Sequence, residues 1–357
     1  MLRQFKKHAL RAFASAGFDR ACISLHSRDA LVLVYHGIFD EEKPEPFRYH
    51  HTAAEFEAHL DWLGTRCTPV TLADFARWKR GEWRPRKPPV FVTFDDGYRN
   101  NALLAAPLLK RKGIPALFFL ASGYIDGERV LWPDEVFARV CAWTAPTLDG
   151  PAETTRAIPQ NPMEREAVAL SIVEECKSLP NAQRLAFIAD LARETPSCDP
   201  LVDAGAQSFM SWDDVRALAA AGFDLGSHTV THPILRSLSP DDLRRELRES
   251  RTAVEARTGV RCAALAYPNG RARDIDAAVL AETAAAGYDW AFTVSDRWCR
   301  PTAGALQLDR ISPPGHADLA TFALHASGFR QWLRSAANRA EPALPVPPAS
   351  GQPSRSA

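Results

Sequence analysis

The chain has 357 residues, 46% hydrophobic and 24% charged, which suits a globular protein large enough for one barrel-sized domain. Its formal net charge is zero, which excludes the strong electrostatic pull of a nucleic-acid binder or of a protein adhering generally to acidic surfaces. The seven cysteines are scattered and lack CxxC or zinc-ribbon spacing, so they read as mostly buried free thiols of a reducing compartment.

Residues 1–30 lack a continuous apolar core of signal-peptide length. Leu2, Phe5, Ala9 and Phe13 recur at helical spacing with Arg3, Lys6, Lys7 and Arg11 between them. That pattern fits a basic amphipathic helix touching an anionic membrane through residues 1–14, or equally a short helix packed on the domain. No segment approaches the ~20 apolar residues of a membrane span. A cytoplasmic protein is expected, with peripheral contact at the inner membrane as the variant of that reading. Leu31 to Tyr35 is a buried-type strand ending in His36. From His51 to Arg80 the pattern is helix, short strand at Pro69–Thr71, then helix, with Thr71 as N-cap and Asp74 in the capping-box position.

Val90 to Phe94 is too uniformly apolar to have a wet face and predicts a buried parallel strand. Two carboxylates follow, Asp95 and Asp96, and then Gly97, where a turn lets both converge on one pocket. Adjacent carboxylates repel, so the pair is tolerable if a cation sits on one of them; a strand-ending Asp-Asp-Gly turn is the plain alternative. Ala102–Lys112 predicts a helix ended by Gly113, and Ala116–Leu120 the next buried strand, completing a βαβ unit. Residues 124–210 show helical patches and no strand for about 80 residues, more than an ordinary crossover needs, and read as a helical insertion. Tyr124 and Trp132 in it are candidates for sugar stacking or lipid contact, with aromatic packing as the alternative.

After a helix from Met210 to Ala220 capped by Ser211, the strand Gly222–Gly226 leads to His228 and His232. An i, i+4 pair on a helical turn places both imidazoles on one face, as a divalent metal requires. Two histidines and one aspartate make three protein ligands with an open position for water, and the spare carboxylate beside them can act as base. Thr93-Phe94-Asp95-Asp96-Gly97 and Ser227-His228-Thr229-Val230-Thr231-His232-Pro233 resemble the first two motifs of the polysaccharide deacetylase family, carbohydrate esterase family 4, with its NodB homology domain. The resemblance covers roughly Leu31 to Leu333. It implies an α/β fold, a deformed (β/α)7-8 barrel with a helical insertion at about 124–210, occupying residues 31–335. It also implies metal-dependent removal of acetyl from N-acetylated sugars, with Asp95 resembling the catalytic base and Asp96, His228 and His232 the ligands of a divalent metal, Zn²⁺ foremost.

The family carries a late Leu-x-His motif whose histidine protonates the leaving amine. Here the stretch ending at His36 resembles that motif moved to the front, as in the circularly permuted branch that includes exopolysaccharide deacetylases, and His36 is assigned as general acid. Its alternative role is substrate binding or packing; His316, in Pro313-Pro314-Gly315-His316, is the runner-up acid. Asp241–Arg257 predicts a charged helix with Leu243, Leu247 and Val254 on its buried side. Ala263–Gly270 resembles the third motif, but Ala266 replaces its arginine and Asn269 its tyrosine. The base-orienting arginine is then unfilled or supplied by Arg271 or Arg273, while the backbone N–H of Asn269 serves as oxyanion donor. Ala291–Val294 and Leu306–Ile311 predict the last strands, and residues 336–357, rich in Pro, Ala and Ser, a disordered tail. The implied partner is an N-acetylated amino-sugar glycan, nucleotide- or polyprenyl-linked in the cytoplasm; a metal amidohydrolase of non-sugar amides and a noncatalytic glycan binder are the rival readings.

Overall fold

The computed structural model describes residues 17–40, 50–127, 129–151, 154–198 and 208–329. The amphipathic stretch at 1–14 and the tail at 336–357 lie outside these residues. A short helix, α1 (Phe18–Leu25), leads into β1 (Leu31–Tyr35), whose five residues are all buried. Two small strands, β2 (Ile38–Phe39) and β3 (His51–Thr52), pair with each other. The helices α2 (Ala53–Arg66) and α3 (Leu72–Lys79) flank β4 (Thr68–Pro69). Thr71 caps α3 as its sequence predicts, its Oγ1 accepting the Asp74 N–H at 3.1 Å.

Next come β5 (Pro89–Phe94) and β6 (Ala116–Leu120), buried at every residue, as expected of parallel strands covered on both faces. The helix between them, α4 (Ala106–Lys112), ends at a left-handed Gly113 but starts as a π-helical turn over Asn101–Ala105. Pro107 has no N–H to give to the preceding turn, which favours the wider winding there.

The stretch between the two motifs holds α5 (Trp132–Cys141), β7 (Thr147–Asp149), β8 (Thr155–Ala157), α6 (Pro162–Cys176), α7 (Asn181–Glu194) and α8 (Trp212–Ala220). Val136, Val140, Ile172 and Leu191 belong to a core that α5, α6 and α7 share among themselves. The expectation of a strand-free insertion fails at β7 and β8, which form an antiparallel hairpin. Most of its residues face solvent, so no apolar run announces it.

The chain continues through β9 (Asp224–Ser227), α9 (Pro240–Thr258), β10 (Ala264–Ala266), α10 (Ala277–Ala285), β11 (Trp290–Phe292) and α11 (Leu319–Ala326). The parallel sheet runs in the order β1-β5-β6-β9-β10-β11, with β4 beside the start of β5. Leu308 bridges to Phe292 and Ile311 to Leu33, both in parallel sense. Ile311 N donates to Val32 O at 2.8 Å and Val34 N to Ile311 O at 3.0 Å. Residues 308–311 thereby join the last strand to the first and close a deformed (β/α) barrel. The predicted strand at 306–311 shows only these isolated bridges, because the Arg310 carbonyl takes the N–H groups of Ser295 and Asp296 at 3.2 and 3.0 Å instead of a ladder partner. His36, Asp95, Asp96 and His228 all fall at the C-terminal ends of strands, the end where a barrel of this kind gathers its chemistry.

Candidate metal centre

Asp96, His228 and His232 come together. His228 Nε2 lies 3.4 Å and His232 Nε2 3.5 Å from the same oxygen, Asp96 Oδ1. One ligand atom from each residue falls within 4.8 Å of the others. Two ligands each ~2.0 Å from a tetrahedral Zn²⁺ are about 3.3 Å apart, so the spacing fits such an ion. His228 Nδ1 donates to Ala266 O at 2.8 Å, which fixes the ring and leaves Nε2 facing the aspartate. Burial works against charging His228, yet Asp95 and Asp96 overcome it and raise this imidazole above its ordinary value. His232 is pushed down to about 3, by burial first and by the neighbouring His228 second. Asp96 is held below the usual carboxylate range: burial opposes this, but the hydrogen bond with His228 and the charges of His36 and His232 prevail.

The helical turn expected for the histidine pair is absent. After β9 the chain forms a loop in which Thr229 (φ 68°) and His232 (φ 55°) are both left-handed. Those two residues, rather than a helical period, bring the imidazoles within 4.8 Å of each other, ring centre to ring centre. A left-handed non-glycine residue is strained. The peptide groups around it are accordingly well held: Glu246 Oε2, on α9, accepts the N–H groups of Val230 and Thr231 at 2.7 and 2.9 Å.

Asp95 has a partner that sequence reasoning missed. Arg310 Nη1 and Nη2 donate to its two carboxylate oxygens at 2.7 Å each, a bidentate fork, and Arg310 is fully buried. Arg310 Nε donates to Thr293 O at 3.0 Å, which fixes the guanidinium plane. Burial pushes the Asp95 carboxyl up, but the charge of Arg310 and the lesser pull of His228 reverse this and leave it below its ordinary value. Asp95 is therefore an ionised carboxylate facing the ligand cluster, its Oδ2 3.9 Å from His228 Nε2. Arg310, and neither Arg271 nor Arg273, is the arginine that contacts Asp95. Arg271 is exposed, and Arg273 reaches Glu174 at 3.6 Å and Asp274 at 3.9 Å. The sequence signal was slight, because Asp309 stands beside Arg310 and offers a local counter-charge; in the structure Asp309 pairs with Arg297 at 3.2 Å instead.

A cavity of about 1050 Å³ opens over this cluster, with His36, Asp95, Asp96, His228, His232 and Asn269 on its wall. His36 sits just beyond β1, and burial holds its imidazole below the ordinary value against the opposing pull of Asp96 and Asp95. Asn269 is left-handed (φ 59°) at the centre of a tight turn in which Gly270 N donates to Pro268 O at 2.6 Å. His316 is exposed and lines a different depression, beside Glu55 and Leu319, so it does not share the cavity. Tyr124 is 6% exposed and packs on Phe209 with ring centres 5.1 Å apart, so packing accounts for it, whereas Trp132, 5% exposed, lies on the cavity wall.

The profile of one protein family, described as polysaccharide deacetylase, matches residues 83–169 and 180–291. A Bacillus subtilis relative, YxkH, whose name places it among polysaccharide deacetylases, is 31% identical over 83 residues, 23% of this chain. The match spans 30% of YxkH's own length. Among solved structures, the Streptococcus pyogenes deacetylase PplD, in complex with acetate, superposes with a TM-score of 0.53 at 17% identity, covering 79% of this chain and 91% of that one. IcaB from Ammonifex degensii gives 0.54 at 17% identity, covering 84% and 96%. At these identities the two structures attest the fold.

Proposed function

The chain belongs to the polysaccharide deacetylase family, and on that premise we propose that it is a metal-dependent N-deacetylase of an amino-sugar glycan, releasing acetate. The observation that carries this is the pairing of a three-ligand cluster, spaced at 3.4 and 3.5 Å around Asp96, with a second aspartate kept ionised by Arg310. Asp96, His228 and His232 would hold the ion, Zn²⁺ by the mix of two imidazoles and one carboxylate. A divalent ion there supplies acidification of water and polarisation of an acetamide carbonyl.

The remaining steps fall to the chain's own groups. Asp95 has lone pairs beyond those that Arg310 engages, and it accepts the proton of the attacking water. The N–H of Asn269, presented by its tight turn, donates to the oxygen on which negative charge develops. His36, on the same cavity wall, delivers a proton to the departing sugar nitrogen. Acetate and a free amino sugar result. The basic residues Arg3, Lys6, Lys7 and Arg11 favour a polyprenyl-linked precursor at a cytoplasmic membrane face as the glycan carrier.

Acetate release from membrane-extracted glycolipids, with and without chelator, tests this reading. Chelator-sensitive release by the wild type and none by Asp95→Asn is the expected result. Release from small non-sugar amides alone would replace the substrate class. Stoichiometric metal without release from any substrate would leave a glycan-binding protein.

A further inference from the structure

The loop that carries His232 is held by the chain segment that opens the insertion. Four successive carbonyls of that loop each accept a hydrogen bond from it. Ser122 N donates to Thr229 O at 3.0 Å and Gly123 N to Val230 O at 2.9 Å. The Tyr124 hydroxyl donates to Thr231 O at 3.4 Å, and Trp132 Nε1 to His232 O at 3.0 Å. The approach is close enough that a Cβ on Gly123 would lie 2.7 Å from Val230 O. The loop's N–H groups are satisfied from elsewhere, by Ser227 Oγ, Glu246 and Thr229 Oγ1. Segment 122–132 therefore supplies the carbonyl half of the loop's bonding.

We propose that Trp132 and Tyr124 are positioning residues for the ligand His232, so that the insertion completes the metal centre as well as walling the cavity. The inference rests on the reading of Asp96, His228 and His232 as metal ligands. Trp132 acts at the ligand residue itself: its indole N–H fixes the peptide that follows His232, whose left-handed backbone aims the imidazole at Asp96. The indole is in turn fixed from the insertion side, because the Arg184 guanidinium, 2% exposed, lies 4.7 Å from its ring centre. Tyr124 holds the preceding carbonyl over a longer contact, and its ring carries Arg129 at 5.4 Å. Both residues are buried, Tyr124 at 6% and Trp132 at 5% exposure, which leaves little ring face for a sugar to stack on.

The test uses Trp132→Phe and Tyr124→Phe, each of which keeps an aromatic ring and removes the donor. Zn²⁺ affinity is measured by chelator competition without substrate, alongside kcat and KM on the acetylated glycan. Trp132→Phe should weaken Zn²⁺ binding by about 10–100-fold, the range found for partners that orient metal ligands. Tyr124→Phe should weaken it less, and neither should raise KM. Zn²⁺ affinity equal to the wild type's in both variants, with a raised KM, would overturn the proposal in favour of sugar stacking. If Trp132→Phe does not fold, Tyr124→Phe carries the same measurement, since it removes one hydroxyl only. A wild type that takes up no Zn²⁺ refutes the metal reading itself and this inference with it; a binding wild type matched by both variants refutes the positioning alone.

Discussion

Replacing Arg310 by methionine strands Asp95 in the barrel. The arginine is fully buried and donates to the two oxygens of Asp95, to Thr293 O and to Thr93 Oγ1, so the substitution removes four hydrogen bonds and a counter-charge at once. Leaving one partner of a buried ion pair without the other costs about 3–5 kcal/mol. In a chain of 357 residues that is a fall in Tm of roughly 4–7 °C. The double variant Asp95→Asn, Arg310→Met should recover much of the loss, because it removes the stranded charge. The pH dependence has a definite sign. The folded-state value of Asp95 is depressed, so the pair's contribution is complete above the unfolded carboxylate value near ~4 and is lost as pH falls through the folded one. The Tm difference between wild type and Arg310→Met should be steady around neutrality and shrink in acid. Turnover should show the same cause, with the acidic limb of its pH profile moving to higher pH in the variant as burial acts on Asp95 unopposed. Thermal unfolding and pH–rate profiles read both. A variant that melts within about 2 °C of the wild type, with an unmoved acidic limb, would show that the fork does not hold Asp95 ionised.

Three further outcomes follow from the site. Asp95→Asn should abolish acetate release and leave metal binding intact, by metal analysis of the purified protein; loss of the metal would mean that Asp95 and Asp96 exchange roles. His36→Ala should lower kcat by ~10²–10⁴-fold, and wild-type rates would remove it from the mechanism. Zn²⁺ at a hundred times its dissociation constant should stabilise the fold by about 2.7 kcal/mol in a melting assay, and His232→Ala should reduce that gain.

The main strands and the grouping of Asp96, His228 and His232 were legible because parallel barrel strands are apolar runs and aspartate and histidine stand out at or just beyond their ends. Val90–Phe94 followed by Asp95 and Asp96 is such a case, and that strand lies between β1 and β6 with every residue buried. Arg310 escaped because its partner is 215 residues away and the tertiary fold alone joins them. The histidine pair was given a helical period that its loop does not have; besides the local bonds from Ser227 Oγ and Thr229 Oγ1, the loop is held by Glu246 and by segment 122–132, which are distant in sequence. The hairpin of β7 and β8 escaped for the opposite reason, since short strands facing solvent leave no hydrophobic trace.

The ring closure at residues 308–311 also bears on synthesis. Asp95 leaves the ribosome 215 residues ahead of Arg310, an interval of roughly 10–40 s at ordinary elongation rates. Over that time the nascent sheet holds an aspartate without its counter-charge, so that end of the barrel stays hydrated or takes Asp95 in protonated form. The end of the barrel around Asp95 is then among the last parts of the molecule to dry, and nonsense mutations upstream of codon 310 should yield insoluble chains.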